Sequence, residues 1–408
     1  MPTRAVRLVV IDVDGVVQGI TPDPIPVATP WWPEAWPVVE AARQGLGLEV
    51  AVLRLLETDS AGPAGGLVTY LVEGLEALPA SRWATILVPW TGAIADHPRR
   101  QPWARPGGPR ADLAWANRVL DRQGRTRTGP AEQIRSWNLS SLWRIPVRDG
   151  NVWLKHVPSF FQHEGAVLEH LAGDHVPVLL GRDAGRVLME ELRGEDLYVA
   201  DTPVLEALVR MLVDLQVGQA DEIDELLGLG LPDWRPSALT AAIRDVVLRT
   251  ADRLDANDQE TLAKLVEGLP DRFDALSETG LPNTLVHGDF HPGNARGSAT
   301  DLGSLTLLDW GDSGIGHPLL DQAAFLDRIP AASVSRVRQV WDRGWRDAIP
   351  GSDPARAAAL LAPVAAARQA AIYRMFLDHI EPSEHPYHRR DPERWLARAA
   401  DLLRKGGS

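Results

Sequence analysis

The sequence predicts an α+β fold in which a strand-rich first part is followed by a mainly helical second part. Up to about residue 190, short apolar runs alternate with turn signals, which is typical of paired strands. Beyond Gly194 the apolar residues recur at helical spacing. Two apolar strands interrupt this helical part, and each runs into a polar turn, TLVHGDFHPGN and LTLLDWGDSG. The 408 residues suffice for two or three domains with cores of their own.

Residues 1–125 are expected to form a small α+β domain that ends in a linker. Strand RLVVIDVDG turns at Asp14-Gly15 into a return strand, VVQGI. A helix from Pro33 to Gln44 precedes two further strands, EVAVLRLLE and GGLVTYLVE. The segment 96–110 is rich in proline, glycine and arginine, as linkers and exposed loops are, and a helix, ADLAWANRVLDRQ, follows it.

This first domain suggests two enzymatic interpretations. Asp12 and Asp14 after an apolar strand resemble the nucleophile loop of haloacid dehalogenase-like phosphatases, in which the first aspartate attacks phosphorus. The order of elements is distantly similar to a degenerate Nudix hydrolase domain, but Glu34, Glu40 and Glu49 are too sparse for its metal box. The repeated βα units of the phosphatase are also missing. We therefore expect a non-catalytic accessory domain, with the Asp12 phosphatase as the alternative.

Residues 126–192 are predicted to form a small β-rich lobe, and residues 193–408 a mainly helical one. In the first of these, SLWRIPV and NVWLKHV form a hairpin around Asp149-Gly150. FFQHEGAVLEHLA is an amphipathic helix, and RVLMEEL is an apolar strand. The last sixty residues are again helical in pattern.

The run VHGDFHPGN, followed about 20 residues later by LLDWG, carries the strongest chemical pattern. Phosphoryl transfer needs a carboxylate at the acceptor hydroxyl and oxygen ligands for the magnesium on the phosphates. Asp289, Asn294 and Asp309 supply those groups. One loop holds an acid and an amide, and the next strand ends in a second acid.

The run H-G-D-x-x-x-x-N followed by an apolar strand and D-W-G resembles the catalytic and metal loops of the aminoglycoside phosphotransferase and choline kinase family. That family is a variation on the protein kinase fold, so the resemblance implies a bilobal, protein-kinase-like α+β fold that uses ATP and Mg²⁺. It implies that Asp289 is the catalytic base and that Asn294 and Asp309 are magnesium ligands. His287 would brace the catalytic loop, and Asp321 resembles a downstream aspartate that we expect to be structural.

A phosphate-anchoring lysine is expected upstream. Lys155 ends strand NVWLK and Glu164 opens the next helix, as in kinases whose lysine contacts the nucleotide phosphates and pairs with a helix glutamate. Glu169 is the competing partner. The end of the following strand resembles the hinge that binds adenine through its backbone, with Met189, Glu190 and Leu192.

The phosphate loop departs from the family pattern. A glycine-rich turn is expected on the first hairpin, yet the turn 138–142 contains no glycine. The hydroxyls of Ser140 and Ser141, with backbone N–H groups, are the remaining candidates to hold phosphate oxygens.

The acceptor is expected against the helical lobe, where the stretch from Tyr373 to Asp391 is the natural place. Tyr387 or Trp395 would stack on a sugar ring. Ordinary solvated helix-end carboxylates are the alternative to an ammonium-binding role for the acidic residues. Those candidates are Asp312, Asp378, Glu381 and Glu384.

The bulk properties exclude several classes of protein. A formal charge of −13 argues against a general nucleic-acid binder and suits a cationic small substrate, although acidity also simply favours solubility. No apolar run is long enough to predict a membrane span, and the N-terminal one is cut short by Asp12 and Asp14. Without cysteine there is no disulfide or thiolate site, which fits a cytoplasmic enzyme. Abundant alanine and arginine with scarce lysine are typical of GC-rich bacterial genomes.

We therefore predict an ATP-dependent small-molecule kinase that phosphorylates a hydroxyl of an amine-bearing sugar or an aminoglycoside-like acceptor. Peptide antibiotics, plain sugars and choline-like amino alcohols are the other acceptor classes within the resembled family. A nucleotide-binding pseudokinase, favoured by the glycine-free turn, and the N-terminal phosphatase are the alternatives.

Overall fold

The computed structural model describes residues 3–173 and 175–406. The chain divides into two compact units. The first comprises the chain up to Gly165 together with Leu179–Glu191 and Phe376–Arg389. The second comprises Ala166–Val178, Leu192–Met375 and the chain from Arg390 onward. The first unit thus contains both the accessory domain and the β-rich lobe that the sequence predicts as separate domains.

A mixed five-stranded sheet with three helices forms the first part of the first unit. Its strands run in the order β2-β1-β5-β4, with β3 paired to β1. Only the β1–β5 pair is parallel. The elements are β1 (Arg4–Ile11), β2 (Val17–Ile20), β3 (Ile25–Val27), α1 (Trp36–Leu46), β4 (Val50–Thr58), β5 (Gly66–Gly74), α2 (Ala80–Ile86) and α3 (Gly108–Arg122). Alternate residues of β1, among them Val6, Leu8 and Val10, are buried with Val38 and Val39 of α1.

A second, antiparallel sheet follows in the same unit, in the order β6-β7-β8-β10-β9. Its elements are β6 (Glu132–Trp137), β7 (Ser140–Val147), β8 (Gly150–His156), β9 (Leu179–Asp183) and β10 (Arg186–Glu190). Helix α4 (Glu164–His170) starts in this unit, and its residues from Ala166 onward belong to the second unit. Helix α3 packs on it, since Trp115 and Val119 share one core with Trp143 and Leu188. The predicted β7–β8 hairpin is confirmed, whereas β6 and β9 were not predicted as strands.

The second unit is mainly helical and is interrupted by two small sheets, β11-β13-β14 and β12-β15. Its elements are β11 (Glu195–Asp196), α5 (Thr202–Gly218), α6 (Ile223–Gly228), α7 (Pro236–Thr250), α8 (Ala256–Glu267), α9 (Leu269–Ser277), β12 (Thr284–Val286), β13 (Ala295–Ser298), β14 (Asp301–Leu307), β15 (Gly314–Gly316), α10 (Leu320–Asp327), α11 (Ala331–Ala348), α12 (Pro354–His379) and α13 (Asp391–Gly406). The predicted α+β class, with a sheet-rich and a helical part, is confirmed. Within the two described ranges, no helix combines the length and apolar character of a membrane span.

Candidate active site

The catalytic loop leaves the buried strand β12, which pairs antiparallel with β15. The loop turns at Gly288, whose φ is +87°. A Cβ at Gly288 would lie 2.0 Å from the backbone oxygen of Asp312, so only glycine fits this close approach. Asp289 follows directly after this forced turn.

Asp321 holds the backbone of the catalytic loop through hydrogen bonds. Its Oδ2 accepts a hydrogen bond from the His287 N–H at 2.9 Å, and its Oδ1 accepts one from the Gly288 N–H at 2.8 Å. The side chain of Gln216 donates a third bond, at 3.1 Å. Burial raises the pKa of Asp321 to about 6 although these backbone N–H groups oppose it. These contacts match the structural role expected of this aspartate.

His287 connects the catalytic loop to the strand that carries the second acid. Its Nε2 lies 2.9 Å from the carbonyl oxygen of Leu308. Burial lowers the pKa of His287 to about 4, so the ring is neutral near pH 7 and its Nε2–H donates to that carbonyl. The ring also lies 4.5 Å from the ring of Trp310. The predicted bracing contact is therefore present.

The β13–β14 hairpin brings Asn294 and Asp309 together. Strand β13 starts one residue after Asn294, and its first residue, Ala295, pairs with Leu307. The Leu308 N–H donates to the Asn294 carbonyl at 2.8 Å. This bond holds the backbone next to Asp309 against Asn294. Asn294 in turn donates from Nδ2 to the backbone oxygen and to Oδ2 of Asp289, at 2.9 and 3.1 Å. The acid, the amide and the second acid form one connected group.

Asp309 adopts an unusual backbone conformation for a residue with a side chain. Its φ and ψ are +62° and +61°, in the left-handed region. Only Asn, Asp and Gly visit this region readily, and such strain concentrates at functional sites. Asp309 is exposed and directly precedes the short 3₁₀ helix Trp310–Asp312.

The two oxygens of the Asp289 carboxylate have different neighbours. Oδ2 faces His291 Nε2 at 3.5 Å as well as Asn294, and Oδ1 faces Arg328 Nη1 at 3.2 Å. His291 Nδ1 accepts from the Gly293 N–H, which leaves the ring proton on Nε2. Burial would raise the pKa of Asp289, but the His291 hydrogen bond and the Arg328 charge outweigh it, and the pKa lies below its ordinary range. Asp289 is thus ionised at neutral pH.

The donor set fits a magnesium ion. Asn294 turns its amide nitrogen toward Asp289, which leaves its Oδ1 as a hard oxygen ligand. Asp309 adds an exposed carboxylate beside it. Magnesium usually takes one or two such protein oxygens and completes its shell with phosphate and water.

The predicted lysine and glutamate of the first unit are in contact. Lys155 on β8 places its Nζ 2.6 Å from Oε1 of Glu164 at the start of α4. Glu164 is only 2% exposed, whereas Glu169 is exposed. Downstream, β10 contains Met189 and ends at Glu190, whose carboxylate receives both Nη groups of Arg125. Leu192 follows two residues later, outside the strand.

The hydroxyls of the turn between β6 and β7 accept hydrogen bonds from two tryptophans. The Ser140 Oγ accepts from the Trp137 indole N–H at 3.0 Å, and the Ser141 Oγ accepts from the Trp143 indole at 3.0 Å. Asn138 is buried and its Oδ1 lies 2.9 Å from His388 Nε2. Each hydroxyl thus accepts an indole N–H and keeps its own proton as a donor, so the phosphate contacts of Ser140 and Ser141 stay a prediction.

Three of the predicted acceptor carboxylates, on Asp378, Glu381 and Glu384, belong to the first unit, whereas Asp289 belongs to the second. Glu381 is 6% exposed and pairs with Arg100 at 2.9 Å. Glu384 is 3% exposed and accepts the Leu55 N–H at 2.7 Å. An acceptor role for Glu381 and Glu384 is wrong, since both are buried and engaged within their own unit. Tyr387 is likewise buried and cannot stack on a sugar.

The second unit provides a different acidic group beside Asp289. Burial raises the pKa of Tyr373, and the carboxylates of Asp391, Asp289 and Asp312 raise it further. The charges of these three carboxylates therefore act on one half-buried tyrosine. Of them, only Asp312 was predicted as an acceptor residue, and its side chain is half-buried.

A cavity with about 380 Å³ of empty space, including its open mouth, lies between α10, α12 and α13. Gly288 of the catalytic loop forms part of its wall, and Trp395 forms another part. Arg368, only 2% exposed, also lines it. Much of the remaining wall consists of small side chains: Ala323, Ala324, Ala362, Ala365 and Ala366.

The Asp12 loop of the first unit is a structural turn. Asp12 Oδ1 accepts the N–H groups of Asp14 and Val16 at 2.9 Å each, and its Oδ2 accepts from Gln18 at 2.7 Å. A nucleophile needs a free carboxylate oxygen aimed at phosphorus. The sheet also lacks the βα repeats of a phosphatase, so the structure argues against that alternative.

Sequence reasoning missed two side chains at Asp289. His291 lies inside the recognised motif, two residues after the aspartate, so its position was a usable signal. Arg328 follows Asp321 by seven residues, a spacing that places both on one face of α10. That helical spacing could have indicated Arg328 as well.

Comparison with known proteins identifies one family by sequence. The sequence profile of the phosphotransferase enzyme family (APH) matches residues 154–360. No curated protein sequence matches the chain. Among solved structures, a macrolide 2′-phosphotransferase from Brachybacterium faecium is 18% identical, with 68% of this chain and 97% of that chain covered and a TM-score of 0.47.

Two further solved structures have similar values. A choline/ethanolamine kinase family protein from Mesorhizobium loti is 16% identical, covering 72% of this chain and 99% of that one, with a TM-score of 0.49. The GDP complex of aminoglycoside 2′-phosphotransferase-IIIa is 15% identical, covering 72% and 98%, with a TM-score of 0.48. The profile match spans half of the chain and therefore shows the family. The protein-kinase-like fold class follows from the family. The chain belongs to the phosphotransferase enzyme family.

Proposed function

We propose that this protein is an ATP-dependent kinase that transfers a phosphoryl group to a hydroxyl of an amine-bearing sugar or aminoglycoside-like acceptor. The observation that carries the proposal is the connected group of Asp289, Asn294 and Asp309. Hydrogen bonds from Asn294 to Asp289 and from Leu308 to Asn294 hold it together. A kinase of this family needs these three oxygen-bearing groups in one place.

Each residue has a defined task in this proposal. Asp289, ionised and half-exposed, orients the acceptor hydroxyl and takes its proton at Oδ1. Asn294 and Asp309 would hold magnesium, which when bound neutralises charge on the phosphate oxygens. Lys155, kept in place by Glu164, would contact the phosphates. Because such catalysis consists mainly of positioning and electrostatics, loss of Asp289 should cost several orders of magnitude in turnover.

The acceptor class is proposed from charge and shape. Asp312 and Asp391 both raise the pKa of Tyr373 by their charge, as Asp289 does, and such carboxylates are suited to an ammonium group. Trp395 lines the cavity beside Gly288 and is the remaining candidate to stack on a sugar ring, since Tyr387 is buried. The formal charge of −13 also favours a cationic substrate. Use of ATP fits the cytoplasmic location expected from the sequence.

The test is ADP release from MgATP with aminoglycosides, amino sugars, neutral sugars and amino alcohols as acceptors. Asp289→Asn is the inactive variant. Asp301→Asn, an exposed change on the same β13–β14 hairpin, is the matched control. Release that needs an amine-bearing acceptor, vanishes in Asp289→Asn and persists in Asp301→Asn supports the proposal. Equal release with neutral sugars would refute the amine requirement.

A nucleotide-binding pseudokinase is the second candidate, and one observation favours it. The β6–β7 turn, where the family pattern has a glycine-rich phosphate loop, contains no glycine. A pseudokinase would bind ATP without magnesium-dependent turnover. Nucleotide binding by calorimetry, with no Asp289-dependent release for any acceptor, would favour this second candidate.

A further inference from the structure

Arg328 lies at the proposed catalytic base, although no motif points to it. It follows the last residue of α10, and its backbone N–H donates to the Phe325 carbonyl at 3.1 Å. Its Nη1 lies 3.2 Å from Oδ1 of Asp289. The side chain is 39% exposed, so the guanidinium contacts the carboxylate and also reaches solvent.

The fold fixes this position at several points along α10. Asp321, in the first turn, binds the backbone of the catalytic loop through His287 and Gly288. One turn later, the Phe325 ring stacks on Phe290 of the same loop, with 4.6 Å between centroids and 13° between planes. Arg328 follows on the same helical face. The helix and the catalytic loop therefore hold Arg328 and Asp289 in a fixed relation.

The carboxylate is oriented so that one oxygen remains for the acceptor. Oδ2 receives Asn294 Nδ2 at 3.1 Å and faces His291 Nε2 at 3.5 Å. Oδ1 is then the oxygen that accepts the hydroxyl proton, and it is the oxygen beside Arg328. A half-exposed ion pair adds little to folding stability, so stability alone gives a weak reason for this contact.

In the proposed reaction the acceptor oxygen forms a bond to the γ-phosphorus. The bond from that phosphorus to the bridging oxygen breaks, and its electron pair leaves on ADP. The hydroxyl proton passes to Asp289 Oδ1, with the hydroxyl oxygen ~2.6–3.2 Å from it. Charge is spread over the three other oxygens of the phosphoryl group in the transition state. A guanidinium beside Oδ1 is within reach of those oxygens because its five N–H donors form a fork.

We propose that Arg328 is a catalytic residue whose guanidinium bridges Asp289 and the phosphoryl group in transit. The inference rests on the proposed kinase function. It adds the Arg328 guanidinium, a cation of the chain itself, to the proposed magnesium. A cation beside a base lowers its basicity, which would be a disadvantage if proton transfer limited the rate. In a loose transition state the hydroxyl proton leaves late, so stabilising the phosphoryl oxygens is the larger gain.

The test uses Arg328→Gln, Arg328→Ala and Arg328→Lys in acceptor-dependent ADP release. Arg336→Gln on α11 is the matched control, since Arg336 is 66% exposed and pairs with Glu206 at 2.8 Å. We expect kcat to fall ~10²–10³-fold in the Gln and Ala variants, as for loss of one charge-stabilising donor. KM for ATP and acceptor should change less than about threefold. Arg328→Lys should keep part of the rate, because a lysine supplies the charge without the fork.

Chemical rescue separates a catalytic from a merely structural role. Guanidinium chloride at low millimolar concentration should restore part of kcat in Arg328→Ala and leave Arg336→Gln unchanged. A raised acceptor KM with normal kcat in Arg328→Gln would show that Arg328 only binds the acceptor and would overturn the proposal. So would wild-type kcat in that variant, or a fall in kcat with a lowered melting temperature and no rescue. Wild-type protein without Asp289-dependent turnover would overturn the kinase function as well.

Discussion

At the scale of single residues, the buried carboxyl of Glu384 makes stability depend on pH. Burial raises its pKa from an ordinary 4.5 to about 8. A carboxyl with a raised folded-state pKa contributes stability that is complete below pH 4.5 and is lost as the pH rises through 8. Glu384→Gln can still accept the Leu55 N–H, so it should lose this pH dependence. At pH 9 we expect it to be more stable than the wild type by on the order of 5 kcal/mol.

Urea unfolding at pH 5, 7 and 9 measures this effect. Glu278→Gln is the control, because Glu278 is exposed and its salt-bridge partner, at 2.8 Å, is the likewise exposed Arg356. Parallel stability curves for Glu384→Gln and wild type across this range would show that Glu384 keeps an ordinary pKa in the folded protein.

Asp309 combines a chemical and a conformational role, and two substitutions separate them. Asn tolerates the left-handed backbone that Asp309 adopts, whereas Ala is strained there. Asp309→Asn should therefore keep its unfolding free energy within ~0.5 kcal/mol of wild type and lose most activity. Asp309→Ala should abolish turnover at any practical magnesium level and also lower stability. Magnesium titrations of ADP release with parallel thermal melts decide this, and near-normal turnover of Asp309→Ala would mean that the metal site is misassigned.

The sequence alone was sufficient to predict some of these residues and insufficient for others. The spacing of Asp289, Asn294 and Asp309 is local, and a hairpin brings them together, so the motif was sufficient to find them. Glu384 contacts Leu55 across 329 positions of sequence. Nothing in the local sequence pattern reveals such a contact. The local sequence therefore led to the wrong expectation that Glu384 binds the acceptor.

At the scale of elements, the β6–β7 turn depends on the segment that follows α12. Asn138 Oδ1 faces His388 Nε2 at 2.9 Å, and its Nδ2 lies 3.5 Å from the Glu384 carbonyl. Asn138→Ala would remove a buried hydrogen bond to His388 and should destabilise the first unit by about 1–3 kcal/mol. Chemical denaturation measures the change. Asn151→Ala, at the more exposed β7–β8 turn, is the control and should cost less than ~0.5 kcal/mol.

Strands with clear apolar runs were predicted well, and short polar ones were not. The sequences of β4, β5, β7 and β8 are apolar and end at turn residues. Strand β6, EQIRSW, and strand β9, LLGRD, contain charged residues and are partly exposed, so hydrophobic periodicity does not detect them. Both lie at the edges of their sheet, where such sequences are common.

At the scale of the whole molecule, the first 125 residues should be inseparable from the lobe that carries Lys155. Helix α3 contributes Trp115, Val119 and Leu120 to the core under β6–β10, and Gln133 exchanges two hydrogen bonds with the backbone of Val52. A chain lacking residues 1–125 should expose this core, each large side chain losing roughly 1.5–3 kcal/mol of burial. We expect it to aggregate and to lose ATP binding, measured by light scattering and calorimetry. Wild-type turnover in the shortened chain would show instead that the first domain is dispensable.

The chain passes between its two units five times, and the last piece of the first unit is Phe376–Arg389. On the ribosome, that piece appears only after about 200 further residues beyond Glu191, which takes ~10–40 s at ~5–20 residues per second. During that interval the nascent first unit lacks the partners of Leu55, Arg100 and Asn138. The first unit is therefore completed late in biosynthesis. A ribosome that stalls before Arg389 would release a chain whose first unit lacks part of its last segment.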